Sequence, residues 1–332
     1  MSDIKLGAKI AVIGGGTGSF TVLSGLKHYA KDITAIVNMA DDGGSTGQLR
    51  DELGALPPGD VRQCLVALSD NPRVRDLFTY RFEEGVLKGH AFGNLFLTAL
   101  EQMTGSFAEG IELASSVLNI TGRVEPVTMT NVTLCAEGAD GQPIRGEHVI
   151  DREEIANRPN IWLEPEAVAN PKAIEAIMEA DIVVIAPGDL YSSLAPVLVV
   201  PGVGDALMKT DAKCVYVSNL VTKPGPTDGF KVHDFADELE RLAGGKFLDY
   251  VIHNSKAPSK QLLEKYAHDG EYGVEPGEGS AGDRHWQAVG SPIISNEISE
   301  GSQSSDPLAS TRSYIRHDPE AVARQLMKIY FS

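Results

Sequence analysis

Lys9-Ile-Ala-Val-Ile13 runs straight into Gly14-Gly-Gly-Thr-Gly-Ser19, and further on Ile33-Thr-Ala-Ile-Val-Asn-Met39 runs into Ala40-Asp-Asp-Gly-Gly-Ser-Thr-Gly47. Each is an apolar run ending in glycine, the pattern of a strand that delivers the chain through a tight turn into a helix. Gly14, Gly15, Gly16 and Gly18 leave peptide N–H groups uncovered by side chains. A helix start beyond them adds the positive end of its dipole, so an anion could be held there, with Thr17 beside it, without any lysine. Two such turns on neighbouring strands would open into one cleft.

Outward from these turns, short β-branched runs alternate with helical stretches, the pattern of a parallel sheet covered on both faces. The expected fold is α/β and Rossmann-like, a mostly parallel sheet with helices on both faces. Its strands are expected at Lys9–Ile13, Ile33–Met39, Ile182–Ala186, Cys214–Ser218 and Leu248–Ile252. Helices are clearest at Phe92–Met103, with an apolar face of Phe92, Leu95, Phe96, Ala99, Leu100 and Met103, and at Asp60–Leu68, where Asp60 reads as the cap. Arg123–Pro126, Val132–Glu137 and Pro143–Gly146 read as short strands of a small β insertion, the last two joined by the turn Gly138–Gly141. One domain is expected over 1–332: a core of 8–118 and 166–268, a β-rich insertion at 119–165, and polar loops with a final helix at 269–332. Gly270–Asp283 and Gly301–Asp306 read as surface excursions or partial disorder, and Asp318-Pro319 as the start of the last helix.

Composition narrows the class. The 332 residues are 42% hydrophobic and carry a net charge of −17, from 29 basic and 46 acidic side chains. That balance argues against a nucleic-acid backbone or an anionic membrane as partner, since both call for a basic face. No apolar run approaches the roughly 20 residues of a membrane helix, and Met1–Lys5 lacks a secretory layout, so the chain reads as cytoplasmic with no membrane insertion. Cys64, Cys135 and Cys214 fit neither a disulfide framework nor a zinc site and read as buried thiols.

The first turn is a near miss to two phosphate motifs. Ser19 stands at the sixth place of the dinucleotide fingerprint, and no Gly-Lys-Ser/Thr follows to make a Walker loop. Asp41 and Asp42 stand about where a Rossmann protein places its ribose-binding acid, followed by Gly43, Gly44, Ser45 and Thr46. Two adjacent carboxylates suit a ribose hydroxyl pair or a divalent cation such as Mg2+ bridging a diphosphate; a solvated Asx turn is the plainer alternative. Arg50 and Arg62 could reach back as phosphate clamps or sit in surface ion pairs. His90, just before the Phe92 helix, is a candidate general acid or base, and Asn94 a hydrogen-bonding position. Farther on, Pro187, Gly188, Asp189, Leu190 and Tyr191 follow one strand and Asn219 another, bringing further loops to the same edge.

Taken in order, Ile13–Gly18, Asp41–Gly47, Leu49-Arg-Asp-Glu-Leu-Gly54, Leu56-Pro-Pro-Gly-Asp60, Gly89–Asn94 and Pro187–Tyr191 resemble the YvcK-like gluconeogenesis factors of the CofD-like superfamily. The resemblance spans roughly residues 8 to 255. It implies a Rossmann-like fold with a nucleotide-diphosphate cleft, and in the YvcK-like branch a UDP-sugar such as UDP-N-acetylglucosamine as ligand. The role it implies is regulatory, linking carbon metabolism to cell-wall synthesis and cell shape, and it leaves room for a homo-oligomer. The sister branch, the 2-phospho-L-lactate transferases, moves a phospholactyl group from a nucleotide-activated donor to a deazaflavin alcohol with magnesium. There Asp41, Asp42 and His90 would be the catalytic candidates. The unbroken Leu49–Asp60 block favours the regulatory branch. One departure stands out: the family loop usually reads Pro-Gly-Ser-Leu-Tyr, and this chain has Asp189. A carboxylate there would repel a phosphate unless it turns inward as a cap or recruits a cation. A nicotinamide-linked oxidoreductase ranks last, because no hydride-transfer constellation accompanies the fold.

Overall fold

The computed structural model describes residues 6–277, 284–295 and 315–332. Strand β1 (Leu6–Gly14) leads into helix α1 (Gly16–Leu26), and β2 (Ala30–Val37) lies parallel to β1. Five helices follow: α2 (Gly44–Leu53), α3 (Pro58–Leu68), α4 (Pro72–Thr79), α5 (Phe92–Thr104) and α6 (Phe107–Leu118). They lead to β3 (Arg123–Pro126), which pairs in parallel with β2. Then come β4 (Thr133–Glu137), β5 (Pro143–Arg145), the single turn α7 (Glu147–Ile150) and β6 (Ile161–Glu164). The chain returns through α8 (Pro171–Met178) to β7 (Ile182–Ile185), a π-turn at Leu190–Leu194, α9 (Ala195–Leu198), α10 (Val203–Lys209) and β8 (Lys213–Val217). Helix α11 (Val232–Ala243), β9 (Tyr250–Asn254), α12 (Lys260–His268), β10 (Gln287–Ser291) and α13 (Pro319–Phe331) complete it.

The main sheet has the order β10-β9-β8-β7-β1-β2-β3, all pairs parallel. Its central strands are buried along their whole length: Ile182, Val183, Val184 and Ile185 show no exposed surface. Such continuous apolar runs are what a parallel sheet sandwiched between helices demands. The order reverses between β1 and β7, and right-handed crossovers then place α1 and α3 on one face and α8, α10 and α11 on the other. That reversal leaves a crevice at the carboxyl ends of β1 and β7, where ligands bind in open α/β sheets.

Three readings of the sequence are corrected. Arg123–Pro126 is the edge strand of the main sheet, not part of the insertion; the small antiparallel sheet is β5-β4-β6, with Ile161–Glu164 as its third strand. Four residues with only Val124 and Pro126 buried carry no signal of which sheet they join. Gln287–Ser291 lies in the segment read as polar loops, yet it is a strand: an exposed edge position buries only Ser291, so the usual alternation is missing. Asp60 is not the cap of its helix, which begins at Pro58 with Pro57 as cap; the carboxylate is used elsewhere, as described below. Asp318 does cap α13, accepting from Ala321 N at 2.9 Å. All three cysteines are buried free thiols. The readings of Met1–Lys5, of 278–283 and of Gly301–Asp306 lie outside the described residues. Among the described residues, no single helix is long and apolar enough to cross a membrane.

Candidate functional site

The first glycine turn is made by close backbone approach. Gly16 takes φ +59°, a left-handed conformation that favours glycine. At Gly18 a Cβ would lie 1.3 Å from the Pro187 carbonyl oxygen, so α1 is pressed directly against the loop after β7. Ser19, at the fingerprint's sixth place, is buried, and its Oγ lies where a Cβ on Gly14 would approach to 2.7 Å. It fills the helix–strand contact that a third glycine makes in the dinucleotide motif. No side chain of the turn caps α1. A carboxylate reaches its N-terminus from 44 residues away: Asp60 Oδ1 accepts from Gly16 N at 2.9 Å.

Asp60 opens onto a chamber of carboxylates. Gly15 and Gly59 make room for it, because a Cβ on Gly15 would lie 2.2 Å from Asp60 Oδ2 and one on Gly59 2.4 Å from Asp41 Oδ2. Burial, then the neighbouring Asp41 charge, lifts Asp60 to about 7, against bonds from Gly16 N and the Asn38 side chain. Asp41 is also raised, by burial first, although Gly43 N donates to it at 3.0 Å and Thr46 bonds it. Glu147, on α7, is pushed up to about 9 by burial and then by Asp151, Asp41, Asp60 and Asp42. Burial and neighbouring negative charge both disfavour the ionised form, and this is what raises all three. Among the described residues, no three such side chains converge closely enough to form a metal centre. Asp41 and Asp60 are the hard oxygen donors that a cation would use, with water and phosphate oxygens completing its shell.

Asp42 is engaged otherwise. Its carboxylate accepts from Glu147 N at 3.1 Å and His148 N at 2.9 Å, and meets His148 Nδ1 at 2.8 Å. Arg50 donates to Asp41 O at 3.1 Å and to Asn131 Oδ1 and Val132 O, each at 2.9 Å, so it ties the second glycine loop to the start of the small sheet. Arg62 is buried, with Nε donating to Asn94 Oδ1 at 2.7 Å. Asn94 Nδ2 donates to Ser45 Oγ at 3.3 Å, and Ser45 Oγ meets His90 Nδ1 at 3.0 Å. Ser45 Oγ thus accepts from the amide and shares a proton with His90 Nδ1, leaving Nε2 as the ring nitrogen outside this bond. The structure thus brings Arg62, Asn94, Ser45 and His90 into one hydrogen-bonded chain. Gly43 and Gly44 form the start of α2, with Gly44 at φ +44°.

On the other side of α1, the loop after β7 divides. Leu190 and Tyr191 point into the core, Tyr191 OH donating to the fully buried Glu238 at 2.9 Å. Asp189 turns inward, its Oδ1 accepting from Tyr191 N at 3.1 Å and Ser192 N at 2.9 Å, while Oδ2 meets Lys223 Nζ at 2.8 Å. Burial alone would raise Asp189, but the Lys223 charge and the Ser192 bonds outweigh it and hold it below the usual carboxylate range. Asn219 joins the two loops, accepting from Tyr216 OH at 2.8 Å and donating to Gly188 O at 2.8 Å. Thr17, Gly18, Pro187, Gly188 and Asn219 line a cavity of about 160 Å³, closed on one side by His317. His317 Nε2 donates to Ser218 O at 3.0 Å, and burial lowers its pKa to about 4, so the ring is neutral.

Larger cavities, of about 330 and 650 Å³, lie toward the opposite edge, lined by residues such as Lys9, Asp32 and Glu179, and Lys213, Asp249 and Gln287. They are at the amino ends of the strands, away from the helix N-termini, so the smaller cavity is the better seat for an anion. Sequence reading missed Asn38, Asp60, Glu147 and Lys223. Asp60 was legible only as a cap; Asn38 ends a strand that runs into the acid loop, and nothing local marks Glu147 or Lys223.

The fold and this edge define a Rossmann-like protein with a glycine turn at its switch-point crevice and the buried Asp60 on the first amide of the helix that follows. The chain belongs to the CofD family: the model described as 2-phospho-L-lactate transferase CofD matches residues 10–296. The gluconeogenesis factor of Bacillus subtilis (strain 168) is 39% identical over 329 residues, 97% of this chain and 98% of that protein. A putative gluconeogenesis factor of Clostridium acetobutylicum is 47% identical over 265 residues, and the match spans 78% of this chain but 59% of that longer relative. The crystal structure of a UPF0052 family protein from Bacillus halodurans aligns with TM-score 0.87 and 35% identity, over 97% of this chain and 99% of that one.

Proposed function

We propose that this protein is a cytoplasmic, nucleotide-sugar-binding regulator, with a UDP-N-acetylglucosamine-like ligand, that links gluconeogenic carbon metabolism to cell-wall synthesis and cell shape. The observation that carries the reading is the crevice between β1 and β7, where the α1 N-terminus, uncapped by any side chain of its own turn, meets the loops of Gly188 and Asn219 around one cavity. The naming of relatives as gluconeogenesis factors supports the metabolic half. In this reading the diphosphate lies along the amides of Thr17 and Gly18, since Gly16 N already serves Asp60. The test is thermal unfolding with UDP-N-acetylglucosamine, GDP-type nucleotides and NAD(P), each with and without Mg2+. A ligand at about a hundred times its Kd adds roughly 2.7 kcal/mol of stability; no shift with any UDP-sugar overturns the reading.

The carboxylate chamber favours one second reading, a magnesium-dependent transferase of the kind the family model describes. A cation held by Asp41 and Asp60 would neutralise a diphosphate leaving group. His90, with its Nδ1 bound to Ser45, would present Nε2. Metal-dependent consumption of a nucleotide donor only when a deazaflavin alcohol is present separates it from the regulator.

A further inference from the structure

Residues 315–318 reach the candidate cavity from the far end of the chain, and their backbone is firmly held. Ser295 N donates to Arg316 O at 2.8 Å and Asp318 N to Ile293 O at 2.7 Å, an antiparallel bridge that sets Ile294 opposite His317. Ile315 is buried with Leu220, Tyr266 and Ile294, and its N–H donates to Tyr266 OH at 3.0 Å. Asp318 caps α13. The His317 ring therefore projects from a fixed stretch of chain, as a recognition group must.

The ring's own bond sets its chemistry. Ser218 O is a carbonyl and can only accept, so Nε2 carries the hydrogen of their 3.0 Å bond. Burial keeps the ring neutral, and a neutral imidazole with its proton on Nε2 presents a bare lone pair at Nδ1. That nitrogen has no hydrogen-bond partner among the described residues. The ring lines the cavity that begins at Thr17 and Gly18. Two polar side chains beside it are already engaged: Asn219 spends its oxygen on Tyr216 OH and its amide on Gly188 O, and the Thr21 hydroxyl donates to Thr17 O. The cavity thus has amide donors at its α1 end and an acceptor at its His317 end. A phosphate oxygen, itself an acceptor, is repelled by Nδ1 and goes to the amides; a hydroxyl or N–H goes to Nδ1.

Sheet order says which part of the ligand carries that donor. Ser218 follows β8, and the order β8-β7-β1-β2 puts it on the opposite side of β1 from β2. In a doubly wound nucleotide site the ribose lies near the end of β2, so the group beyond the diphosphate faces β7 and β8. We propose that His317 is a specificity residue of this site: its Nδ1 accepts a hydrogen bond from a hydroxyl or N–H of the sugar beyond the diphosphate, and so separates a nucleotide sugar from a bare nucleoside diphosphate. The assignment rests on the nucleotide-sugar reading.

Calorimetric titration of the full chain with UDP-N-acetylglucosamine and with UDP tests it. His317→Gln keeps an N–H for Ser218 O and removes the acceptor, and the preference for UDP-N-acetylglucosamine over UDP falls about three- to tenfold, the factor one neutral hydrogen bond gives. His317→Asn gives up the Ser218 bond but places Oδ1 where Nδ1 stood, so it keeps more of the preference; a purely structural ring would show the reverse. Nitrogen NMR of the wild-type chain needs no variant: the His317 Nδ1 resonance moves with UDP-N-acetylglucosamine and stays with UDP. An unchanged preference in His317→Gln, equal losses in the two variants, or an Nδ1 resonance that UDP moves as far as the nucleotide sugar does, overturns the assignment and leaves the functional reading standing. A wild-type chain that binds no UDP-sugar overturns both.

Discussion

The turn after β1 and the turn after β7 both carry the chain from a buried parallel strand into a helical start at one edge of the sheet, and they touch at Gly18 and Pro187. After β1 no local side chain caps the helix, and the nearest carboxylate, Asp60, arrives from another helix and is pushed up to about 7. After β7, Asp189 satisfies two amides of its own turn and stays ionised beside Lys223. The same topology therefore yields a helix start reached by a distant carboxylate in one place and a self-filled cap in the other. The residue at the start of each turn decides which, because a helix N-terminus binds whichever carboxylate or phosphate reaches its amides first.

The contact between the two turns breaks most visibly. Gly18→Ala puts a methyl 1.3 Å from the Pro187 carbonyl oxygen and costs about 3 kcal/mol in urea unfolding, as overpacked sites do. Gly7→Ala, with nothing within 4 Å of its added methyl, stays close to wild type. A wild-type-like Gly18→Ala would mean that the turns do not pack as described.

The next difference lies in the ionisation of the two aspartates. Asp60 is raised to about 7 and Glu147 to about 9 in the fold. Their stability contribution is complete below the unfolded carboxylate range, near pH 4, and is lost as pH rises through 7 and then 9. Asp189, held low, contributes in the opposite sense and loses its share only as pH falls below about 4. Wild-type stability therefore declines between pH 4 and 8 by on the order of 2–4 kcal/mol, and Asp60→Asn flattens that decline. Chemical unfolding at pH 5 and pH 8 reads it; parallel curves for the two proteins would refute the assignment.

The smallest effect is at the cap itself. Asp189→Ala removes two hydrogen bonds to backbone amides and costs about 1 kcal/mol. Asp189→Ser, which keeps a capping oxygen, recovers most of that in thermal unfolding. Equal losses would show that the Lys223 pair, rather than the cap, carries the energy.

Much of the fold was legible. β-branched runs at Lys9–Ile13, Ile33–Met39, Ile182–Ala186 and Cys214–Ser218 mark buried strands, because a parallel strand covered on both faces must be apolar throughout. The two edge strands were read less well: Arg123–Pro126 was found as a strand but given to the wrong sheet, and Gln287–Ser291 was missed, because half-exposed edges carry little imprint of burial. Within the candidate site, Arg62, read as a phosphate clamp or surface ion pair, is buried and bonded to Asn94, whereas the two glycine turns, Asp41 and Asn94 are visible as motifs. Glu147 and Lys223 are not, since each is brought in from a segment whose local pattern answers to its own packing.

Sequence by itself determined that two glycine turns end two buried strands, and that the chain carries an acidic pair where a nucleotide protein would place its ribose ligand. Local backbone chemistry suffices for that, because glycine and aliphatic spacing act over a few residues. Only the tertiary structure decided which carboxylate meets which amide. Asp60 crosses to the first turn, Asp42 to α7, and Asp189 to its own helix start. Those pairings depend on strand order and helix packing, and electrostatics in a dry crevice then fixes which of the acids keeps its proton.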